Sequence, residues 1–261
     1  MATRVSLILT SYNCKDNIVR TLKSIEMQDY PNIEIVIIDG LSVDGTVDII
    51  KHYKNATKHI CHWISEKDNG LYDAMNKGLN IASGDILAFF NDLFLTPNAV
   101  SLMVNAIESG NYDGAHADLI YAEDNKVKRY WRMGEGNIRS GWMPGHPTLY
   151  LKRQIYEKYG KYDTKYKCSA DYEFMVRILK DKNVRLSYVP HTIVRMFYGG
   201  TSTNSVGSYW VSIKESYKAL QHYHIRYAAW IIFRRTLKVF VQFFKAHKYK
   251  GEFNQCNRQF L

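Results

Sequence analysis

Val5-Ser6-Leu7-Ile8-Leu9-Thr10 is a short apolar run that opens into the polar loop Ser11-Tyr12-Asn13, and beyond it Ile18, Leu22 and Ile25 recur at helical spacing. This reads as strand, loop, helix. The unit then repeats. Ile33 to Ile38 is a second β-branched run that stops at Asp39-Gly40, with Asp44 as N-cap of a helix beginning near Thr46. A third strand is expected at His62 to Ser65, followed by a helix from Leu71 to Ala82 whose Ala74, Met75, Gly78, Leu79 and Ala82 share one face. Ile86 to Phe90 is a fourth strand, and Thr96-Pro97 supplies the cap and first position of a helix running to Ser109. Strands alternating with helices build right-handed βαβ units and a mainly parallel sheet, which takes ligands at the carboxyl ends of its strands.

The rhythm changes after Asp113. Residues 114 to 121 and 126 to 131 flank Glu123-Asp124-Asn125 as a hairpin, helices are expected at Arg153 to Tyr159 and Asp171 to Lys180, and a strand runs from Arg185 to Val189 and ends at Pro190. With 261 residues, 46% hydrophobic and 14% aromatic, the chain can bury a full core, and one large α/β domain suits it better than two small ones. The formal net charge is +10, yet from Ser205 onward ten Lys or Arg face only Glu215 and Glu252, which leaves about +2 on the first 204 residues. The expected organisation is one α/β domain over 1–204, in halves 1–112 and 113–204, and a basic helical extension over 205–261.

Several function classes are excluded by what the body lacks. A nucleic-acid binder needs a basic groove with interleaved aromatics, and the body, near +2, has none. A nucleotidyltransferase is not favoured, because no Gly-rich phosphate loop is present. Cys14, Cys61, Cys168 and Cys256 are widely scattered, so neither a disulfide framework nor a zinc cluster is expected, and a reducing cytosol fits best. Met1-Ala2-Thr3-Arg4 leads straight into a strand without a signal-peptide pattern, and no uncharged run approaches the roughly 20 residues of a membrane span.

Chemistry is sought in three polar strand ends, Thr10-Ser11-Tyr12-Asn13, Asp39 to Thr46 and Ser65 to Gly70. A uracil ring offers an N–H beside two carbonyls, which a carboxylate such as Asp39 and a hydroxyl such as Thr10 complement. Asp39 and Asp44 are also ordinary turn and cap residues.

Taken in order, Ser6 to Asn13, Ile38-Asp39-Gly40-Leu41-Ser42-Val43-Asp44-Gly45-Thr46 and Glu66-Lys67-Asp68-Asn69-Gly70-Leu71-Tyr72-Asp73-Ala74-Met75-Asn76-Lys77-Gly78 closely resemble the inverting family 2 glycosyltransferases of bacterial surface-polysaccharide pathways. The resemblance spans roughly residues 4 to 200 and implies a GT-A fold, Rossmann-like, with helices on a mainly parallel sheet. It implies that Thr10 and Asp39 touch the nucleoside with the Tyr12-Asn13 loop beside them, and that Asp68 lies near the uracil or ribose. Asp73, Asn76 and Lys77 would lie by the pyrophosphate or donor sugar. The family carries a DxD-type acidic motif after the fourth strand. Here Phe90-Asn91-Asp92-Leu93-Phe94 supplies a single carboxylate, so Asp92 is the metal candidate for Mn2+ or Mg2+ with Asn91 as a weak helper, and metal dependence is left open.

Ser169-Ala170-Asp171-Tyr172-Glu173-Phe174 resembles the family's acceptor-side acidic motif at the start of a helix. Inversion needs a carboxylate that takes the proton from the attacking hydroxyl, and Asp171 is the candidate base. Glu173 belongs to the same acceptor-side segment, although two residues round a helix points it elsewhere, toward Arg177 at i+4. Gly145-His146-Pro147 resembles the histidine segment beside the acceptor. His146 is placed on an acceptor hydroxyl or phosphate, and Trp142 serves as a sugar platform or as a buried core residue. His191 is a candidate late metal ligand, as in some GT-A enzymes, or a structural histidine.

The implied reaction moves a hexose or N-acetylhexosamine from a UDP-sugar to a glycan or undecaprenyl-diphosphate-linked acceptor. The alternative is a catalytically weak nucleotide-sugar binder kept as an assembly partner. Aromatics beside cations in the extension suggest an interfacial anchor on an anionic membrane surface, placing the protein in the cytoplasm, peripheral on the inner face of the bacterial plasma membrane.

Overall fold

A computed structural model describes residues 2–123, 126–197 and 206–246. Its first part is β1 (Val5–Ser11), α1 (Lys15–Glu26), β2 (Ile33–Asp39), α2 (Thr46–Ala56), β3 (Ile60–Ser65), α3 (Leu71–Ile81) and β4 (Ile86–Phe89). There follow β5 (Leu93–Phe94), α4 (Ala99–Ser109), β6 (Gly114–Glu123), β7 (Lys126–Trp131), β8 (Tyr150–Lys152), α5 (Arg153–Tyr159), α6 (Ala170–Leu179) and β9 (Leu186–Phe197). Two helices, α7 (Val206–His222) and α8 (Ala228–Ala246), close the described chain.

All the strands belong to one sheet, in the order β3-β2-β1-β4-β8-β6-β9-β5, with β7 on β6. β3, β2, β1 and β4 are mutually parallel, and β6 is parallel to β9. The short β8 and β5 and the hairpin partner β7 pair antiparallel. The alternation of side chains along β1 and β2 splits the core in two. Leu7, Leu9, Ile35 and Ile37 join Ile18, Leu22 and Ile25 of α1 and Val100, Met103 and Val104 of α4 in one buried cluster. Ile8, Val36 and Ile38 join Met75 and Leu79 of α3 and Phe174 and Ile178 of α6 in the other.

Three local expectations are corrected. The second helix starts at Thr46, but its cap is Gly45, whose φ of 97° lies in the left-handed region. Asp44, one residue earlier, still accepts from the Thr46 N–H (3.0 Å) and also from the Lys15 N–H (3.0 Å), so it ties the starts of α2 and α1 together. The fourth helix begins at Ala99 after Asn98, not at Thr96-Pro97, because the Thr96 carbonyl is engaged by the Gln28 side chain (2.9 Å). Nor does Pro190 end its strand. Ala117 pairs with Val189 and Asp118 with Thr192, so Pro190 and His191 are absorbed as a bulge where no ladder N–H is required, and β9 continues to Phe197. The hairpin strands β6 and β7 form, while their turn at Asp124-Asn125 lies outside the described residues, as do residues 247–261 of the basic extension. Among the described residues no helix is long and apolar enough to cross a membrane.

α3 lies on β1 at Gly78, where an added Cβ would fall 2.3 Å from Ile8 Cγ2, and Ile8 is fully buried and cannot give way. Gly78→Ala would gain about 1 kcal/mol of helix propensity. Overpacking costs roughly 1–3 kcal/mol and acts directly at this contact. A net loss of stability is therefore expected, read as a lower urea midpoint with an unchanged slope, and an unchanged or raised midpoint refutes the close approach.

Candidate active site

The parallel register brings Ser11, Asp39 and Ser65 side by side at the carboxyl ends of β1, β2 and β3. Asp39 is fully buried there. Its Oδ1 accepts from the hydroxyls of Ser11 (2.9 Å) and Ser42 (2.5 Å), and its Oδ2 from the Ser65 hydroxyl (2.7 Å) and the Ser42 N–H (2.9 Å). Four donors offset the cost of burying the charge. Asn13, at φ 45°, closes the neighbouring loop: its N–H donates to Ser42 Oγ (2.8 Å) and its Oδ1 accepts from the Val43 N–H (2.9 Å). Tyr12 between them is exposed. Thr10 and Asn91 bond reciprocally across β1 and β4, with the Thr10 N–H donating to Oδ1 (2.9 Å) and Nδ2 to Oγ1 (2.8 Å).

Asp68 joins this edge through Gly40, where an added Cβ would stand 2.7 Å from Asp68 Oδ2 and 3.4 Å from the Tyr12 ring. A side chain at position 40 would make that carboxylate shift. Asp68 also accepts from the Gly70 N–H (2.8 Å) and Asp73 from the Asn69 N–H (2.9 Å), so both acids shape the turn that enters α3. Lys77 caps the same turn, donating to the Lys67 carbonyl (2.8 Å) and pairing with Glu66 (2.8 Å). Asn76 does not join them. Its amide is committed to the main chain of Tyr162, donating to the carbonyl (2.9 Å) and accepting from the N–H (3.0 Å), so it clamps α3 to the segment before α6.

Tyr72, one turn before Asn76 on α3, reaches the segment expected to face the acceptor. Tyr72 donates its hydroxyl to Asp171 Oδ1 (2.9 Å) in the first turn of α6. That turn is held from the tail: Glu215 of α7 accepts from the N–H groups of Lys167 (2.9 Å), Cys168 (2.9 Å) and Ser169 (3.0 Å). His146 Nε2 shares a hydrogen bond with Tyr162 Oη (2.8 Å), and its ring stacks on Phe89 at 5.4 Å. Burial lowers the His146 pKa, and the negative charge of Asp171 opposes that shift. Thus His146, Tyr162, Tyr72 and Asp171 form one cluster.

Two expected acceptor residues have other work. Glu173 is buried, pairs through both oxygens with Arg177 (3.0 and 2.5 Å) and receives the Tyr223 hydroxyl, so it locks α6 to its own next turn and to the tail. Trp142 donates its indole N–H to the Met133 (3.1 Å) and Gly134 (3.2 Å) carbonyls and packs edge-on to His116 at 5.2 Å.

Asp92 is buried between β4 and β5 and accepts from the Phe197 N–H (3.2 Å). Burial raises its pKa to about 7, against the lowering effect of that N–H. Tyr121 of β6 feels both acids: burial raises its pKa, Arg129 opposes, and Asp92 and Asp171 raise it further. No local pattern in the sequence marks a strand tyrosine that feels two acids from distant segments. His191 does not accompany Asp92. It is exposed on the β9 bulge, six residues from Phe197, or roughly 20 Å along an extended strand. Among the described residues no cluster of three or more His, Cys, Asp or Glu is placed to hold a metal. A cavity of about 320 Å³ lined by Thr3, Asp85, Glu108, Lys152 and Arg153 lies at the opposite ends of β1 and β4, away from these groups.

The glycosyl transferase family 2 model matches residues 6–178. An uncharacterized glycosyltransferase of Mycobacterium tuberculosis is 32% identical over 184 residues, covering 67% of this chain and 69% of the relative. The Escherichia coli UDP-Glc:alpha-D-GlcNAc-diphosphoundecaprenol beta-1,3-glucosyltransferase WfaP is 29% identical over 207 residues, covering 77% and 80%. Among solved structures, S. aureus TarS 1-349 with UDP-GlcNAc superposes at TM-score 0.68 with 19% identity over 96% of this chain and 74% of that one, and against another TarS 1-349 structure the chain spans 65% of that chain. The mannosyltransferase PcManGT of Pyrobaculum calidifontis, with GDP-Man and Mn2+, gives TM-score 0.65 at 16% identity over 96% and 76%. These structural likenesses show the fold, which is GT-A.

His116, under Trp142 and stacked on Tyr188 at 5.3 Å, has its pKa lowered to about 4 by burial. The unfolded chain protonates near 6.5. Between those values the unfolded state binds more protons, so stability is full above about pH 6.5 and falls by up to about 3 kcal/mol as pH drops toward 4. His116→Phe keeps the stacking and should flatten that part of the stability curve. An identical pH slope in the variant assigns the loss to other groups.

Proposed function

Because the chain belongs to glycosyl transferase family 2, we propose that it moves a hexose or N-acetylhexosamine from a UDP-sugar, with inversion, to a hydroxyl of a lipid-linked or oligosaccharide acceptor in cell-surface polysaccharide synthesis. The observation that carries this reading is the first turn of α3. Its entry loop holds Asp68 against Gly40 beside Asp39, and Tyr72, next in the turn, holds Asp171.

Donor uridine binds along Thr10 and Asp68, at the edge whose loops the buried Asp39 holds in place, and Lys77 supplies positive charge toward the diphosphate. Asp171 takes the proton of the acceptor hydroxyl as its oxygen attacks the anomeric carbon. The bond from that carbon to the diphosphate oxygen breaks, and UDP leaves with the electron pair. Tyr72 orients the base by occupying Oδ1. His146, kept neutral by burial, offers a hydrogen bond to the acceptor. A WfaP-like acceptor, a sugar on diphosphoundecaprenol, puts the enzyme on the inner face of the plasma membrane.

The residues present fit a divalent cation in minimal form. Asp92 is a carboxylate driven toward protonation by burial, and Mg2+ or Mn2+ would take one carboxylate with substrate phosphates and water. Bound there, the cation offsets charge building on the departing diphosphate. Asn91 is already committed to Thr10 and adds little. That single carboxylate also favours the second reading, a weak nucleotide-sugar binder acting in assembly.

Turnover separates the two. Asp171→Asn should lower the rate of UDP release with acceptor about 10²- to 10⁴-fold, the usual worth of a positioned base. UDP should still raise the Tm of the variant as it does that of the wild type. A wild type that binds UDP-sugar but releases no UDP with any acceptor supports the binder, and full activity in the variant removes Asp171 from the role of base.

A further inference from the structure

Helix α8 is turned inside out. At 100° per residue, Ile231, Arg235, Lys238, Gln242 and Ala246 fall within an arc of about 80°, and this is the face that meets the body. Ile231, Gln242 and Ala246 are buried. Arg235 donates to Ser216 Oγ (3.0 Å) and stands 4.3 Å over the Tyr172 ring, Lys238 donates to the Ser140 carbonyl (3.1 Å), and Gln242 accepts from Arg129. On the opposite arc Trp230, Phe233, Leu237, Phe240 and Phe244 recur at i, i+3, i+7, i+10 and i+14, and all five are exposed, Trp230 by 55%, Phe240 by 59% and Phe244 by 75%. A helix that only packs on a water-soluble body directs such residues inward. The outward stripe therefore calls for an apolar environment of its own.

The charge around it selects the occupant. Between residues 206 and 246 seven Lys or Arg face one acidic residue, Glu215, and Glu215 is turned inward onto the start of α6. Lys214, Lys218, Arg226 and Arg234 are exposed. A second copy docked on the stripe would bring two such positive surfaces together, whereas an anionic surface complements them. No described helix is long and apolar enough to cross a membrane, so at such a surface α8 would lie in the interface plane.

We propose that the stripe Trp230, Phe233, Leu237, Phe240 and Phe244 seats in the surface of an anionic lipid bilayer while the opposite face of α8 stays packed on the catalytic body. Through Arg235 on Tyr172, the docked helix lies one residue from Asp171, which brings a membrane-borne acceptor to the base. That purpose rests on the proposed use of a lipid-linked acceptor, but the docking itself is measured without turnover.

The test is co-sedimentation of the full chain with vesicles of phosphatidylglycerol mixed with phosphatidylcholine, or of phosphatidylcholine alone. Binding is expected to the mixed vesicles, weaker to phosphatidylcholine alone and weakened by high salt. The double substitution Phe240→Ser with Phe244→Ser should lower it by about tenfold or more. Tm, UDP binding and transfer to a short water-soluble acceptor should not change. Arg234→Glu should weaken binding to the mixed vesicles alone. Failure of the wild type to sediment with anionic vesicles overturns the proposal, as does equal sedimentation of the double variant. So does a dimer in light scattering that the double variant abolishes. Vesicle binding without any UDP release sinks the transferase reading and leaves the docking surface standing, and turnover without vesicle binding does the reverse.

Discussion

One buried carboxylate organises the ligand edge of this molecule. Asp39 has no water to solvate it, so its charge is tolerable only while three serine hydroxyls and one N–H converge on it. Those donors come from the ends of β1 and β3 and from the loop after β2. The same set of bonds therefore fixes the relative heights of three strand ends and the path of the loop that ends at Asp44. Every polar group expected at the donor, from Thr10 to Asp68, is placed relative to that point.

The second constraint is the turn that enters α3. It is only a few residues long, yet it closes on itself through Asp68 and Asp73, packs against Gly40 on one side and sends Tyr72 to Asp171 on the other. The groups proposed for donor and acceptor thus share one element, α3 and its entry turn. The Asn76 clamp on Tyr162 holds that element in place, and Tyr162 in turn bonds His146. Residues that do not touch substrate are what keep Asp171 beside its neighbours.

The C-terminal helices are part of this support and not an appendage. Glu215 gathers the N–H groups that precede α6, Tyr223 reaches Glu173, and Arg235 covers Tyr172. Glu215, Tyr223 and Arg235 are spent on holding α6, while Lys214, Lys218, Arg226 and Arg234 stay exposed beside the outward aromatic residues. Basic composition by itself, counted along the chain, does not reveal which of those cations point inward.

Local pattern determined the βαβ rhythm, because apolar runs of period 2 and stripes of period 3.6 are short-range signals that burial enforces residue by residue. It also marked Asp39, a carboxylate at a strand end, whereas Asp68 and Asp171 became candidates through the family resemblance of their motifs. Tertiary structure alone decided which polar side chains are already satisfied. Asn76 and Glu173 sit in the right motifs, but their partners, Tyr162 and Tyr223, arrive from distant segments. Pro190 and His191 read as a strand terminus until the bulge they form in β9 shows the ladder to β6 resuming beyond them. Hydrogen-bond capacity is consumed by whatever lies nearest in space, and nearness between residues far apart in the chain is set by how the sheet and its helices pack.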